Sequence, residues 1–159
     1  MNYEKMMHVS FFTDNMEEMM DFYTNKLGGT VKVLTHYSIY KDRPDRPNQQ
    51  KIALQTPDKI FNVYIELCEG QFVELFPKAE GQKEHNKWNE SLGYSHFALT
   101  VKDIHEAVEE LEQRGVKFLS RISFGPSHTY QIWMADPDDN RIELMQFTED
   151  SFQVKGHFE

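Results

Sequence analysis

Apolar and polar positions along this chain follow two periods, and the switches between them mark its elements. "HVSFF" alternates, so Val9 and Phe11 share one strand face while His8, Ser10 and Phe12 share the other. The period then lengthens. Met16, Met19, Met20, Tyr23 and Leu27 fall on one helical stripe, with Thr13 or Asp14 expected as the cap and Glu17 in capping-box spacing from Asp14. Gly28 and Gly29 stop that helix, and "TVKVLTHYSIY" returns to strand.

The same order comes back in "HFALTVKDIHEAVEELEQRGVKFLSRI". His96, Ala98 and Thr100 alternate with Phe97, Leu99 and Val101, and Asp103 is placed to cap a helix carrying Ile104, Ala107, Val108 and Leu111. Gly115 ends it, and further strands are expected over 116–122, 130–135 and 141–147. Each copy closes on a glutamate between aliphatic residues, Val73-Glu74-Leu75 and Ile142-Glu143-Leu144. This is an internal repeat of strand, helix and three strands.

The spacing from histidine to glutamate is 66 residues in the first copy and 47 in the second. "YKDRPDRPNQQK", polar and twice interrupted by proline, accounts for the excess as an inserted loop. Residues 52–56 read as either an added strand or part of that insertion. The expected division is a first βαβββ module over 1–79 with the insertion at about 41–51, a linker over 80–92, a second βαβββ module over 93–148, and a C-terminal extension over 149–159. The fold class is α+β.

Composition narrows the function. A net charge of -9 leaves no basic stripe to neutralise phosphates, which argues against nucleic acid. No apolar run approaches the ~18 residues that would span a bilayer, and the N-terminus has no signal-peptide pattern, so a cytoplasmic protein is expected. Cys68 is the only cysteine, which rules out a disulfide within the chain and argues against a thiolate metal site.

The chemistry sits in the repeat. Burying an unpaired carboxylate is costly, so a buried Glu143 would neutralise, pair or bind a metal. His8 and His96 are equivalent by the repeat, as are Glu74 and Glu143. Glu74 shares its strand face with Phe72 and Phe76, and Glu143 with Met145 and Phe147, which are poor companions for a solvated charge. Two imidazoles and two carboxylates balance a divalent cation and leave positions open for water or substrate.

"HVSFFTDNMEEMMDFYTNKLGG", "GQFVELFP", "GYSHFALTVKDIHEAVEELEQRG" and "DPDDNRIELMQF" together resemble the vicinal oxygen chelate superfamily over about residues 5 to 148. That superfamily includes glyoxalase I, methylmalonyl-CoA epimerase, extradiol dioxygenases and fosfomycin-resistance proteins. The resemblance implies paired βαβββ modules in a curved mixed sheet around a metal. It implies ligands at His8, Glu74, His96 and Glu143, one divalent ion per chain (Ni, Zn, Co or Mn before Fe), and a homodimer.

The His-Glu-His-Glu order looks most like glyoxalase I, which makes a lactoylglutathione lyase-related lyase or isomerase the expected activity. It would act on a small-molecule carbonyl compound through an enediolate, with Glu74 and Glu143 as the catalytic bases. The cationic clamps of glutathione-dependent members are not evident, because Phe12 and the "SFGPSH" loop stand where basic residues would be. Phe12, Arg121 and Tyr130 are the candidate substrate contacts. An epimerase of methylmalonyl-CoA or sugar type, an extradiol-type dioxygenase and a drug-binding resistance protein remain as alternatives.

Overall fold

The structure is a computed structural model that describes residues 2–84, 88, 90 and 92–158. The chain divides into two compact units, Met1–Lys83 and Glu84–Glu159. Each is built on a four-stranded mixed sheet, which makes the fold α+β.

In the first unit, β1 (His8–Thr13) leads through α1 (Met16–Asp21) into β2 (Thr30–His36). Helix α2 (Pro47–Gln55), β3 (Ile60–Cys68) and β4 (Gln71–Pro77) follow. The sheet order is β1-β4-β3-β2. Strand β1 runs parallel to β4, and the other pairings are antiparallel. The second unit repeats this with β5 (His96–Thr100), α3 (Ile104–Gln113), β6 (Ser123–Phe124), β7 (Thr129–Ala135) and β8 (Arg141–Phe147), in the order β5-β8-β7-β6. A short α4 (Phe152–Lys155) closes the chain.

The alternation along β4 and β8 sorts each strand into a core face and a second face. Val73, Leu75, Ile142 and Leu144 are all buried. Full burial of such a side chain contributes about 1.5–3 kcal/mol. In the second unit Leu144 joins Ile104 and Ile132 in a cluster against which Ala107, Val108 and Leu111 of α3 pack. Glutamates 74 and 143 point the other way.

The two helices after the first strands start differently. Asp103 caps α3, accepting from the backbone N–H of His105 at 2.8 Å and Glu106 at 3.1 Å. Helix α1 has no side-chain cap at its Asn15 N-cap. Thr13 instead accepts from the Asn15 N–H at 2.9 Å, and Asp14 turns outward to an ion pair with Lys78 at 3.1 Å. A competing cation and a tight hydroxyl turn take both expected caps away from the helix. Beyond Asp21 the helix widens into a π-helical turn over Phe22–Lys26, which buries Phe22 as well as Tyr23. Gly29 then passes so close to the sheet that a Cβ would lie 2.6 Å from the Tyr23 carbonyl and 2.7 Å from Ile65 Cγ2.

Two expected elements differ. Residues 47–55 form helix α2 within the stretch read as loop and uncertain strand. Pro47 occupies the first turn, where its missing N–H goes unneeded, and only Ala53 is buried, so the apolar pattern that would reveal the helix is nearly absent. Residues 116–122 do not form a strand. They hold one bridge, Phe118 to Met134, and the Ser120 hydroxyl takes the Trp133 N–H at 3.2 Å where a carbonyl of a continuous ladder would have been. The regular pairing resumes only at β6.

Of the expected linker 80–92, positions 85–87, 89 and 91 lie outside the described residues. Among the described residues, no helix is long and apolar enough to cross a membrane.

Candidate metal centre

Each unit presents one histidine–glutamate pair in the same place. The glutamate sits on the strand held between two neighbours, β4 or β8, and the histidine begins the parallel strand beside it. Glu74 pairs in register with Ser10, and Glu143 with Ala98, so each histidine lies two residues before its glutamate's strand partner. His8 Nε2 is 3.4 Å from Glu74 Oε2, and His96 Nε2 is 3.4 Å from Glu143 Oε2. Both glutamates are buried, at 5% and 7% exposure, while the imidazoles are partly open.

The surroundings match as well. Tyr64 on β3 stands opposite Glu74, and Trp133 on β7 stands opposite Glu143. Each aromatic ring meets its histidine edge-on, with centroids 5.7 Å apart for His8–Tyr64 and 4.8 Å for His96–Trp133. The second ring nitrogen is occupied locally. His96 Nδ1 lies 3.0 Å from Ser95 Oγ, and His8 Nδ1 lies 2.8 Å from Met7 Sδ. A fixed far nitrogen leaves Nε2 free to ligate.

The two carboxylates have different neighbours. Burial pushes the Glu143 carboxyl above its ordinary range, with the neighbouring His96 pulling the other way. Around Glu74, burial and then hydrogen bonding to Glu74 itself raise the Tyr64 phenol to about 12, so Tyr64 stays a neutral donor. Asn62, itself buried, donates from Nδ2 to Glu74 Oε1 at 2.7 Å, and Thr35 donates to Asn62 Oδ1 at 2.5 Å.

Among the described residues, no group of three or more His, Cys, Asp or Glu is placed to hold a metal ion, and each unit holds one histidine–glutamate pair. The other sequence candidates are scattered. Phe12 is exposed on the Glu74 face, with its ring 5.5 Å from that of Phe76. Arg121 is exposed on the irregular stretch before β6. Tyr130 lies on the opposite face of β7 from Trp133, packed against the Ile104, Ile132 and Leu144 cluster, so it is part of the core.

Sequence reasoning missed Asn62, Thr35 and Tyr64. Their signal was weak: two polar residues and a tyrosine at alternating or paired strand positions look like an ordinary solvent face. Arg141, which pairs with Asp139 at 3.1 Å and lies over the Trp88 ring, is a further cation on the Glu143 face.

The family of the chain follows from its match to a known family model. The family model described as Glyoxalase/Bleomycin resistance protein/Dioxygenase superfamily matches residues 5–144, and the chain belongs to that superfamily. Its members include many enzymes and typically bind a metal ion.

Solved structures share the fold at low identity. The glyoxalase family protein from Enterococcus faecalis is 22% identical with a TM-score of 0.66, covering 90% of this chain and 98% of its own. A superfamily member from Sphaerobacter thermophilus is 21% identical with a TM-score of 0.61, covering 91% and 98%. The lactoylglutathione lyase from Agrobacterium tumefaciens is 17% identical with a TM-score of 0.56, covering 92% and 96%.

Proposed function

We propose that this protein is a metal-dependent isomerase or lyase of glyoxalase I type acting on a small-molecule carbonyl compound. His8, Glu74, His96 and Glu143 are the ligands of one divalent ion per chain. The observation that carries this reading is the 3.4 Å separation of Nε2 and Oε2, repeated in both units. An N–H···O hydrogen bond settles near 2.9 Å. Two donors that each lie about 2.0–2.2 Å from one ion stand roughly 3.0–3.4 Å apart between octahedral and tetrahedral angles. A spacing of 3.4 Å supports the reading of each pair as two ligands of one ion. Two carboxylates balance a dication, and a mixed nitrogen and oxygen set suits nickel, zinc, cobalt or manganese.

When bound, the ion supplies Lewis acidity toward a substrate carbonyl. The chain's own groups move the proton. Glu74 or Glu143 takes it from the carbon beside the carbonyl and returns it to the adjacent carbon, which isomerises the substrate. Return to the other face of the same carbon would be epimerisation. Apolar neighbours on the same strand faces, Phe72, Phe76 and Met145, limit water around the carboxylates.

The Agrobacterium neighbour is a lactoylglutathione lyase, which favours a thiohemiacetal-like substrate. The uncharged Phe12 and "SFGPSH" positions argue against glutathione as the thiol.

The test combines metal content of freshly purified protein with solvent deuterium incorporation into thiohemiacetals and α-hydroxyketones. About one nickel, zinc, cobalt or manganese per chain, with exchange that stops on chelation, is the expected result. Iron with oxygen consumption would make it a dioxygenase, and no metal would make it a binding protein.

A further inference from the structure

The two pairs differ in what stands behind the glutamate. In the first unit a line of side chains crosses the whole sheet, from Thr35 on β2 through Asn62 on β3 and Glu74 on β4 to His8 on β1. Thr35 and Asn62 are register partners, joined hydroxyl to amide oxygen at 2.5 Å. The Asn62 amide is thereby turned so that Nδ2 donates to Glu74 Oε1 at 2.7 Å, leaving Oε2 toward His8 at 3.4 Å. In the second unit the matching positions are Ser123 on β6, Gln131 on β7, Glu143 and His96. Gln131 lies beside Gly125 and makes no hydrogen bond to Glu143. The anchor exists on one side only.

We infer that Asn62, set by Thr35, is a positioning residue that fixes the Glu74 carboxylate with one oxygen held and the other presented beside His8. This rests on the metal reading of Glu74 for its consequence, though not for its geometry. An amide has one acceptor and two donor hydrogens. Because Thr35 claims the acceptor end, the donor end is the only one Asn62 can offer Glu74. A carboxylate with Oε1 so held cannot rotate freely or chelate through both oxygens. Outer partners of this kind orient the ligand, and their loss costs about 10–100-fold in metal affinity.

Two measurements on the full chain test it. The first uses metal-free protein, so it reads the anchor without any metal. The Asn62 side-chain amide protons should exchange slowly with solvent by NMR, and Glu74→Ala and Thr35→Val should each speed that exchange. The second titrates Co2+ and follows its visible absorption. Asn62→Ala should lower affinity about 10–100-fold and Thr35→Val less, in the same direction, whereas Gln131→Ala should stay within about twofold.

Melting of the metal-free variants separates positioning from folding, since an affinity loss at unchanged melting temperature is not a loss of structure. If Asn62→Ala proves unfolded, Thr35→Val carries the comparison. Fast amide exchange in wild type, or Co2+ affinity equal in wild type, Asn62→Ala and Thr35→Val, would overturn the inference. Slow exchange with no Co2+ uptake by wild type would instead overturn the metal reading and leave the anchoring of Glu74 standing.

Discussion

Trp133 lies directly across the β7–β8 ladder from Glu143, so a buried carboxylate faces an indole. An indole has one N–H and no acceptor, and its ring offers little to an anion. The position is poor for stability and useful for chemistry.

In the metal-free protein, Glu143→Gln should therefore raise stability at neutral pH. Burial raises the folded-state carboxyl above its unfolded value. The unfolded chain thus loses its proton first, and ionised Glu143 penalises the native state above the folded-state titration. The penalty fades as pH falls and is gone below the unfolded value. Denaturant midpoints measured with chelator should show the variant ahead at pH 7 and level with wild type near pH 3. The same variant should lose turnover.

Glu74→Gln separates the enzymatic classes. A carboxamide can ligate weakly but cannot take a proton at neutral pH. In a four-ligand isomerase the change should cut activity far more than tenfold and lower metal affinity. Activity within about tenfold, a barrier change of ~1.4 kcal/mol, with metal retained would instead indicate a three-ligand site that Glu74 merely lines. Steady-state kinetics with parallel metal analysis decides it.

The helix caps give a paired stability test. Asp103→Ala removes two hydrogen bonds at the start of α3 and should cost about 1 kcal/mol. Asp14→Ala breaks only an exposed ion pair with Lys78 and should leave the urea midpoint nearly unchanged. Urea melts of both variants would detect the difference.

Gly29→Ala should destabilise by about 1–3 kcal/mol, because the added methyl meets the Tyr23 carbonyl and the Ile65 side chain well inside contact distance. Neither neighbour yields easily, since one is backbone and the other is buried. A thermal melt at unchanged metal content is the check.

What the chain alone determined was whatever local periodicity and repetition encode. Alternation placed Val73, Leu75, Ile142 and Leu144 in the core and turned Glu74 and Glu143 from it. The repeat singled out His8 and His96 among seven histidines. The Asp103 cap and the strand over Arg141–Phe147 were readable because short-range hydrogen bonding and period-two burial act within a few residues.

Tertiary structure decided everything that needed a partner far along the chain. Thr13 and Asp14 look like caps until Lys78, 64 residues beyond Asp14, takes one of them. Residues 116–122 look like a strand until the Ser120 hydroxyl replaces a ladder bond. Tyr130 looks like a pocket residue until β7 is paired and its face is known. Thr35, Asn62 and Glu74 carry no shared sequence signal. They meet only because β2, β3 and β4 align in one register, and that register is fixed by the burial of the opposite face, where a slip of one residue would expose every core side chain.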